Sequence, residues 1–205
     1  LQPMKLLSVL ASLIAAILTG NAAESTPAPP LRVFCYNIHH GEGLDGKVDL
    51  GRIAQLIKNS GAHVAALQEV DRNMGRTQRV DLAKELARQL GWTAYFSPNL
   101  RTKDGGEYGN ALLTALPVST WKNTIFPLGR PTEPRGLLQA TVRFQEQEIE
   151  ILTTHLDRWT EREGFFQQLG QTLREDQWLW VVLTMREDYV AALDPFASLL
   201  PNKLR

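Results

Sequence analysis

The stretch Val64-Ala-Ala-Leu-Gln-Glu-Val-Asp71 decides how this chain is read. Its apolar start, Val64 to Leu67, is a short run closed by polar residues, the pattern of a buried strand. The run stops at Gln68 and Glu69. A carboxylate where a buried strand gives way to a loop suits a hard cation, because oxygen ligands gather at the carboxyl edge of a sheet. A surface glutamate following a strand is the plain alternative, so Glu69 gains weight only from what surrounds it.

Upstream, Leu31 to Ile38 is β-branched and aromatic and reads as a strand ending at Asn37. His39 to Gly43 is a loop. Asp49 caps a helix with apolar positions Leu50, Ile53, Ala54 and Ile57, closed by Gly61. Strand, helix, strand implies a parallel or mixed sheet. Adjacent parallel strands bring their carboxyl ends to one edge. Asn37 and Glu69 then meet there, with side-chain oxygens expected on the order of 4–6 Å apart if they share a cation.

Downstream, Asp81 caps a second helix whose stripe is Leu82, Leu86 and Leu90, read as core packing and closed by Gly91. Thr93 to Ser97 is a short strand, residues 101–107 form a polar loop, and Tyr108 to Thr114 is the next strand. Its polar start, Tyr108 and Asn110, contrasts with an apolar body. Leu137 to Phe144 and Glu148 to Thr154 flank Gln145-Glu146-Gln147 as a hairpin, and the second strand runs into His155. A histidine just past a strand end suits acid or base chemistry; in isolation it would be a surface side chain. Trp159 to Leu173 reads as an amphipathic helix.

Composition bounds the function. Of 205 residues, 43% are hydrophobic and 21% charged, which is ordinary for a globular domain. A formal net charge of zero speaks against a protein held on nucleic acid by a basic field. It leaves small charged substrates open. The single cysteine, Cys35, rules out an intramolecular disulfide. Residues 1–23 read as a secretory signal peptide: Met4-Lys5, an apolar run from Leu6 to Leu18, then small residues to Ala23. The expected location is secreted or periplasmic. A retained membrane anchor is the alternative, but the run is short for a spanning helix. Residues 24–30, with three prolines, form a linker.

Five fragments then add up. Tyr-Asn-Ile at 36–38, Leu-Gln-Glu-Val-Asp at 67–71, Tyr-Gly-Asn-Ala-Leu-Leu at 108–113, Glu-Pro-Arg-Gly at 133–136 and Thr-Thr-His-Leu-Asp at 153–157 occur in one order. Together they resemble the endonuclease/exonuclease/phosphatase family, whose members include pancreatic deoxyribonuclease. The resemblance covers roughly Leu31 to Leu173. It implies an α/β (α+β) fold of two mixed β-sheets packed as a sandwich, with helices on the outer faces.

The resemblance also assigns roles. Glu69 matches the principal Mg²⁺ ligand, with Asn37 beside it and Mn²⁺ as an alternative ion. His155 matches an active-site histidine that contacts the scissile phosphate or protonates the leaving group. Tyr108, Asn110 and Arg135 match positions lining the phosphate pocket, where an arginine offers a forked donor pair. His155 is expected in the cleft of Glu69, on the order of 6–10 Å from it. His39 and His40 flank the site, where loop histidines are usually just solvated. The implied activity is that of a secreted Mg²⁺-dependent phosphoesterase. Its substrate is a small phosphoester or phospholipid head group rather than duplex DNA, and the chain is expected to be a monomer.

The match is incomplete. The family's Gly-Asp-x-Asn and Ser-Asp-His motifs have no counterpart, and no histidine follows His155. The expected organisation is an incomplete domain over residues 31–176 and a divergent tail over 177–205, as from a truncated or frame-shifted gene. Trp178 to Leu183 offers at most one further strand, so the tail is expected to pack poorly. The alternative function is therefore a catalytically dead fragment that at most binds a phosphate compound.

Overall fold

The structure, a computed structural model, describes residues 29–126 and 133–155 together with Gln171, Arg174 and Glu175. The chain divides into two compact units, Leu1–Pro30 and Leu31–Arg205. Every described element belongs to the second. The expected helix at 159–173 and the tail from 177, with its packing, lie outside the described residues.

Local sequence sets each element. Helix α1 (Leu50–Ser60) starts at Asp49, whose carboxylate accepts from the Arg52 amide at 3.2 Å, and stops at the left-handed Gly61. Helix α2 (Leu82–Leu90) repeats the device with Asp81, which accepts from the Lys84 amide at 3.0 Å, and with Gly91. Their apolar faces, Ile53, Ala54 and Ile57 on α1 and Leu82, Ala83, Leu86 and Ala87 on α2, are buried.

Both helices cover a four-stranded mixed sheet in the order β1 (Val33–Asn37), β2 (Val64–Arg72), β4 (Glu107–Thr114), β3 (Thr93–Arg101). β1 and β2 run parallel, as the strand-helix-strand order requires; the other pairs are antiparallel. The second sheet has the order β5 (Val118–Ile125), β6 (Gly136–Phe144), β7 (Gln147–Thr154). Among the described residues it is purely antiparallel rather than mixed. β5 was not foreseen. Its run Val-Ser-Thr-Trp-Lys-Asn-Thr-Ile lacks a buried face, because it forms the outer edge of its sheet and is mostly exposed.

Alternation along the central strands builds the sandwich. Leu67, Ala111 and Leu113 pack under the helices with Ile57 and Leu86. Val64 and Leu112 turn the other way and meet Leu138 and Ala140 of β6. Toward the carboxyl ends of β1 and β2 the layer between the sheets becomes polar. Gln68 Nε2 donates to Thr153 Oγ1 of β7 at 2.8 Å, and Asn110 Nδ2 donates to the Gly136 carbonyl of β6 at 3.1 Å. Each bond is buried and ties one sheet to the other, so the polar end of the sandwich has a fixed register.

Candidate active site

Glu69 does not end its strand. β2 continues to Arg72, and a bulge interrupts the pairing: Leu67 faces Ala111 and Val70 faces Gly109, so Gln68 and Glu69 together oppose Asn110. Glu69 takes a left-handed backbone, φ +58°. Strict alternation would send its side chain toward the helices with Leu67. The bulge turns it into the cleft at the end of the sheets, where it meets Asn37 and His155. A non-glycine residue at positive φ costs of order 1–3 kcal/mol and persists only where surrounding structure enforces it.

Asn37 lies at the end of β1 as expected, but its amide nitrogen faces the carboxylate. Nδ2 donates to Glu69 Oε1 at 2.7 Å, while Oδ1 accepts the His39 amide at 3.0 Å. The backbone amide can only donate, which sets the amide's orientation. Asn37 therefore orients Glu69 and keeps one lone pair of Oδ1 for another partner. His39 and His40 follow in a tight 3₁₀ turn, both at positive φ (45° and 44°), their rings 4.3 Å apart. Their ring nitrogens and a Glu69 oxygen all lie within 4.8 Å of one another. The two histidines are thus closer to the carboxylate than loop position alone suggests.

His155, just past β7, faces the same carboxylate: Nε2 is 3.6 Å from Glu69 Oε1, nearer than the expected separation. Arg135 Nη1 contacts His155 Nδ1 at 3.1 Å and Glu133 Oε1 at 2.5 Å. A guanidinium only donates, so His155 Nδ1 accepts and the neutral ring carries its proton on Nε2, toward Glu69. Tyr108 is half-buried on β4. Burial pushes its phenol well above the ordinary tyrosine range, the charges of Glu69 and Glu133 add to this, and Arg135 opposes them. The hydroxyl stays protonated and can donate. Asn110 is buried behind it, its Oδ1 without a hydrogen-bond partner, and Arg135 Nε is a second buried polar atom in that condition. One orphan acceptor and one orphan donor buried beside the site are what an enclosed water would satisfy.

All six residues singled out from the sequence (Asn37, Glu69, Tyr108, Asn110, Arg135 and His155) thus belong to one end of the sandwich. Three contributors, Asp71, Arg76 and Glu133, were given no role in the sequence reading, although Asp71 and Glu133 stand within the quoted fragments. Asp71 is fully buried and held by Arg76, whose Nε and Nη2 donate to its two oxygens at 2.8 and 2.7 Å. Glu133 holds Arg135. Asp71, two residues beyond Glu69, carried a faint alternation signal; Arg76 sits in a loop and carried none.

The donor set suits a cation. The Glu69 carboxylate and the His39 and His40 imidazoles, with ligand atoms within 4.8 Å of one another, are the group types that hold a divalent cation.

Comparisons with known proteins agree with this architecture. An endonuclease/exonuclease/phosphatase from Beutenbergia cavernae DSM 12333 superimposes with a TM-score of 0.51 at 24% identity, over 71% of this chain and 42% of that one. TDP2 from Caenorhabditis elegans gives 0.52 at 20% identity, over 80% and 48%. A family protein from Leptotrichia buccalis C-1013-b gives 0.51 at 18%, over 62% and 55%. These likenesses concern the fold, and the chain spans about half the length of the solved structures it matches. No curated protein matches the chain significantly in sequence. The sequence profile described as the Endonuclease/Exonuclease/phosphatase family matches residues 34–183, most of the chain and all seven strands from Phe34 onward, and the chain therefore belongs to that family.

Proposed function

We propose that this chain is a secreted, Mg²⁺-dependent phosphoesterase, and the observation that carries the reading is the convergence of Glu69, Asn37, His155 and Arg135 at one end of the sandwich. Glu69, oriented by Asn37, would hold the cation, with His39 and His40 at hand. When bound, the ion supplies positive charge to the phosphate oxygens and neutralises the charge that builds up on them.

The chain's own residues would hold the phosphoryl group and supply the leaving group's proton, the attacking nucleophile being solvent water. Arg135, fixed between Glu133 and His155 through Nη1, would offer its guanidinium to a phosphoryl oxygen. His155 presents the Nε2 proton to a second oxygen or to the leaving group. The protonated Tyr108 hydroxyl donates from the β4 side. Asn110 Oδ1 accepts from an enclosed water. The zero net charge favours small phosphoesters or phospholipid head groups over duplex DNA, and a monomer suffices because every proposed group comes from one chain. Residues 1–23 would be removed on export, so the mature chain would start near Glu24.

The test is hydrolysis of bis-p-nitrophenyl phosphate by the purified mature chain with and without Mg²⁺. Turnover that vanishes with a chelator and falls at least about 10³-fold in Glu69→Gln is the expected result. Unchanged turnover in Glu69→Gln, or none at all from folded protein, would overturn the reading.

A further inference from the structure

Among the described residues, Arg76 is a cation at this end of the sandwich that the proposed reaction leaves unused. Asp71, directly opposite Tyr108 in the β2–β4 register, is fully buried, and both its oxygens are taken by Arg76. Thr77 Oγ1 adds a third bond at 3.3 Å. This grip uses the Nε–Nη2 edge of the guanidinium. Nη1 has no hydrogen-bond partner among the described residues, and the Arg76 side chain is 45% exposed while its carboxylate partner is at 0%.

The buried acid is thus the fixed end and the open guanidinium edge is the presented end. The guanidinium carbon sits 5.4 Å from the centre of the Tyr108 ring, so the cation is seated on the wall of the candidate active site. Neighbouring arginines are engaged elsewhere: Arg79 with Asp104, and Arg72 and Arg101 with Glu107. The loop is built to hold this pose. Gly75–Thr77 form a tight turn, Gln78 and Arg79 are left-handed (φ 56° and 63°), and the Asn73 amide bonds the Val80 carbonyl at 3.2 Å.

We infer that Arg76 is a second anion-binding group, so that the preferred substrate is a phosphoester carrying another phosphate or carboxylate on the Tyr108 side of the scissile group. The inference rests on the phosphoesterase reading of the cleft. A planar fork already fixed by Asp71 loses little side-chain freedom when it takes an oxyanion, which favours it over a flexible surface arginine. The Asp71 hydrogen bonds, with Asp71 and Glu69 as neighbouring charges, raise its pKa further above the ordinary arginine value and keep it cationic at every working pH.

The experiment is calorimetric binding of thymidine 3′,5′-bisphosphate and thymidine 5′-monophosphate to the mature chain with Ca²⁺ as the hard cation. The wild type should bind the bisphosphate roughly tenfold more tightly. Arg76→Gln should erase that ratio and Arg76→Lys should keep part of it. If Arg76→Gln fails to fold around the stranded Asp71, the double variant Asp71→Asn/Arg76→Gln removes the buried charge and is expected to show the same lost ratio. Equal wild-type affinities, or a ratio that survives in Arg76→Gln or the double variant, would overturn the inference. Failure of the phosphoesterase reading would appear separately, as absent turnover of bis-p-nitrophenyl phosphate, while the affinity ratio stays measurable.

Discussion

Glu69 shows what one residue's backbone can decide. At φ +58° it occupies a region that glycine enters freely and glutamate does not. Glu69→Gly should therefore relieve strain while removing the Asn37 bond. Its unfolding free energy is expected to stay within about 1 kcal/mol of wild type in urea titrations, with turnover lost. A loss of more than about 3 kcal/mol would mean that the carboxylate itself holds the bulge together. Arg135 illustrates the same scale through donors rather than strain. Its Nη1 reaches both His155 and Glu133, while Nε is buried without a hydrogen-bond partner. Arg135→Lys keeps the charge but loses the planar guanidinium that Nη1 anchors on His155 and Glu133, so kcat/KM on bis-p-nitrophenyl phosphate should fall roughly 10- to 100-fold. Both residues were recognisable in sequence. The amide orientation of Asn37 and the proton position on His155 were not, because they depend on partners 32 and 20 residues away.

At the scale of elements, the strands and helices follow local rules closely enough to be read in advance, and their failures are local too. Asp49 and Asp81 cap their helices as the sequence indicates. In α2, the Arg88 hydrogen bond, aided by Gln89, holds the Glu85 carboxyl down to about 2 from an ordinary 4.5. A depressed carboxylate favours the folded state above its unfolded pKa, and that contribution is lost as pH falls through the folded value, here between about 4.5 and about 2. The pair lies on the surface, where solvent screens it, so the effect belongs in a site titration rather than in global stability. A carbon-detected NMR titration should place the Glu85 midpoint near 2 in wild type and move it toward 4.5 in Arg88→Ala. Gly109 marks the opposite case, a position with no tolerance. A Cβ there would lie 2.0 Å from the Ser97 carbonyl oxygen on β3. Gly109→Ala must force β3 and β4 apart between Tyr108 and Asn110, and a destabilisation of about 3 kcal/mol or more in denaturant melts is expected.

At the scale of the molecule, two apolar layers and one polar end make the site. Leu138 is fully buried between the sheets with Val64, Leu112 and Ala140. Leu138→Ala should cost about 2–5 kcal/mol by chemical denaturation, because the neighbouring strands cannot collapse onto the cavity. Activity of the folded fraction should fall as well, since Leu138 pairs directly with Thr153, which accepts from Gln68, and stands two residues from Gly136, which accepts from Asn110. What the amino-acid order determined by itself was the element sequence of the first sheet, the parallel pairing of β1 with β2, the hairpin of β6 and β7, and the family to which the chain belongs. Those features depend on periodicity, caps and turns, which act over a few residues at a time, and on short motifs that keep their spacing. What only the tertiary structure decided was the bulge that aims Glu69, the edge strand β5, the closeness of His39 and His40 to the carboxylate, and the seating of Arg76 on Tyr108 by way of buried Asp71. Each of these is a contact between segments far apart in the chain. Their geometry follows from how two sheets pack and where their register slips, and no local pattern carries that information.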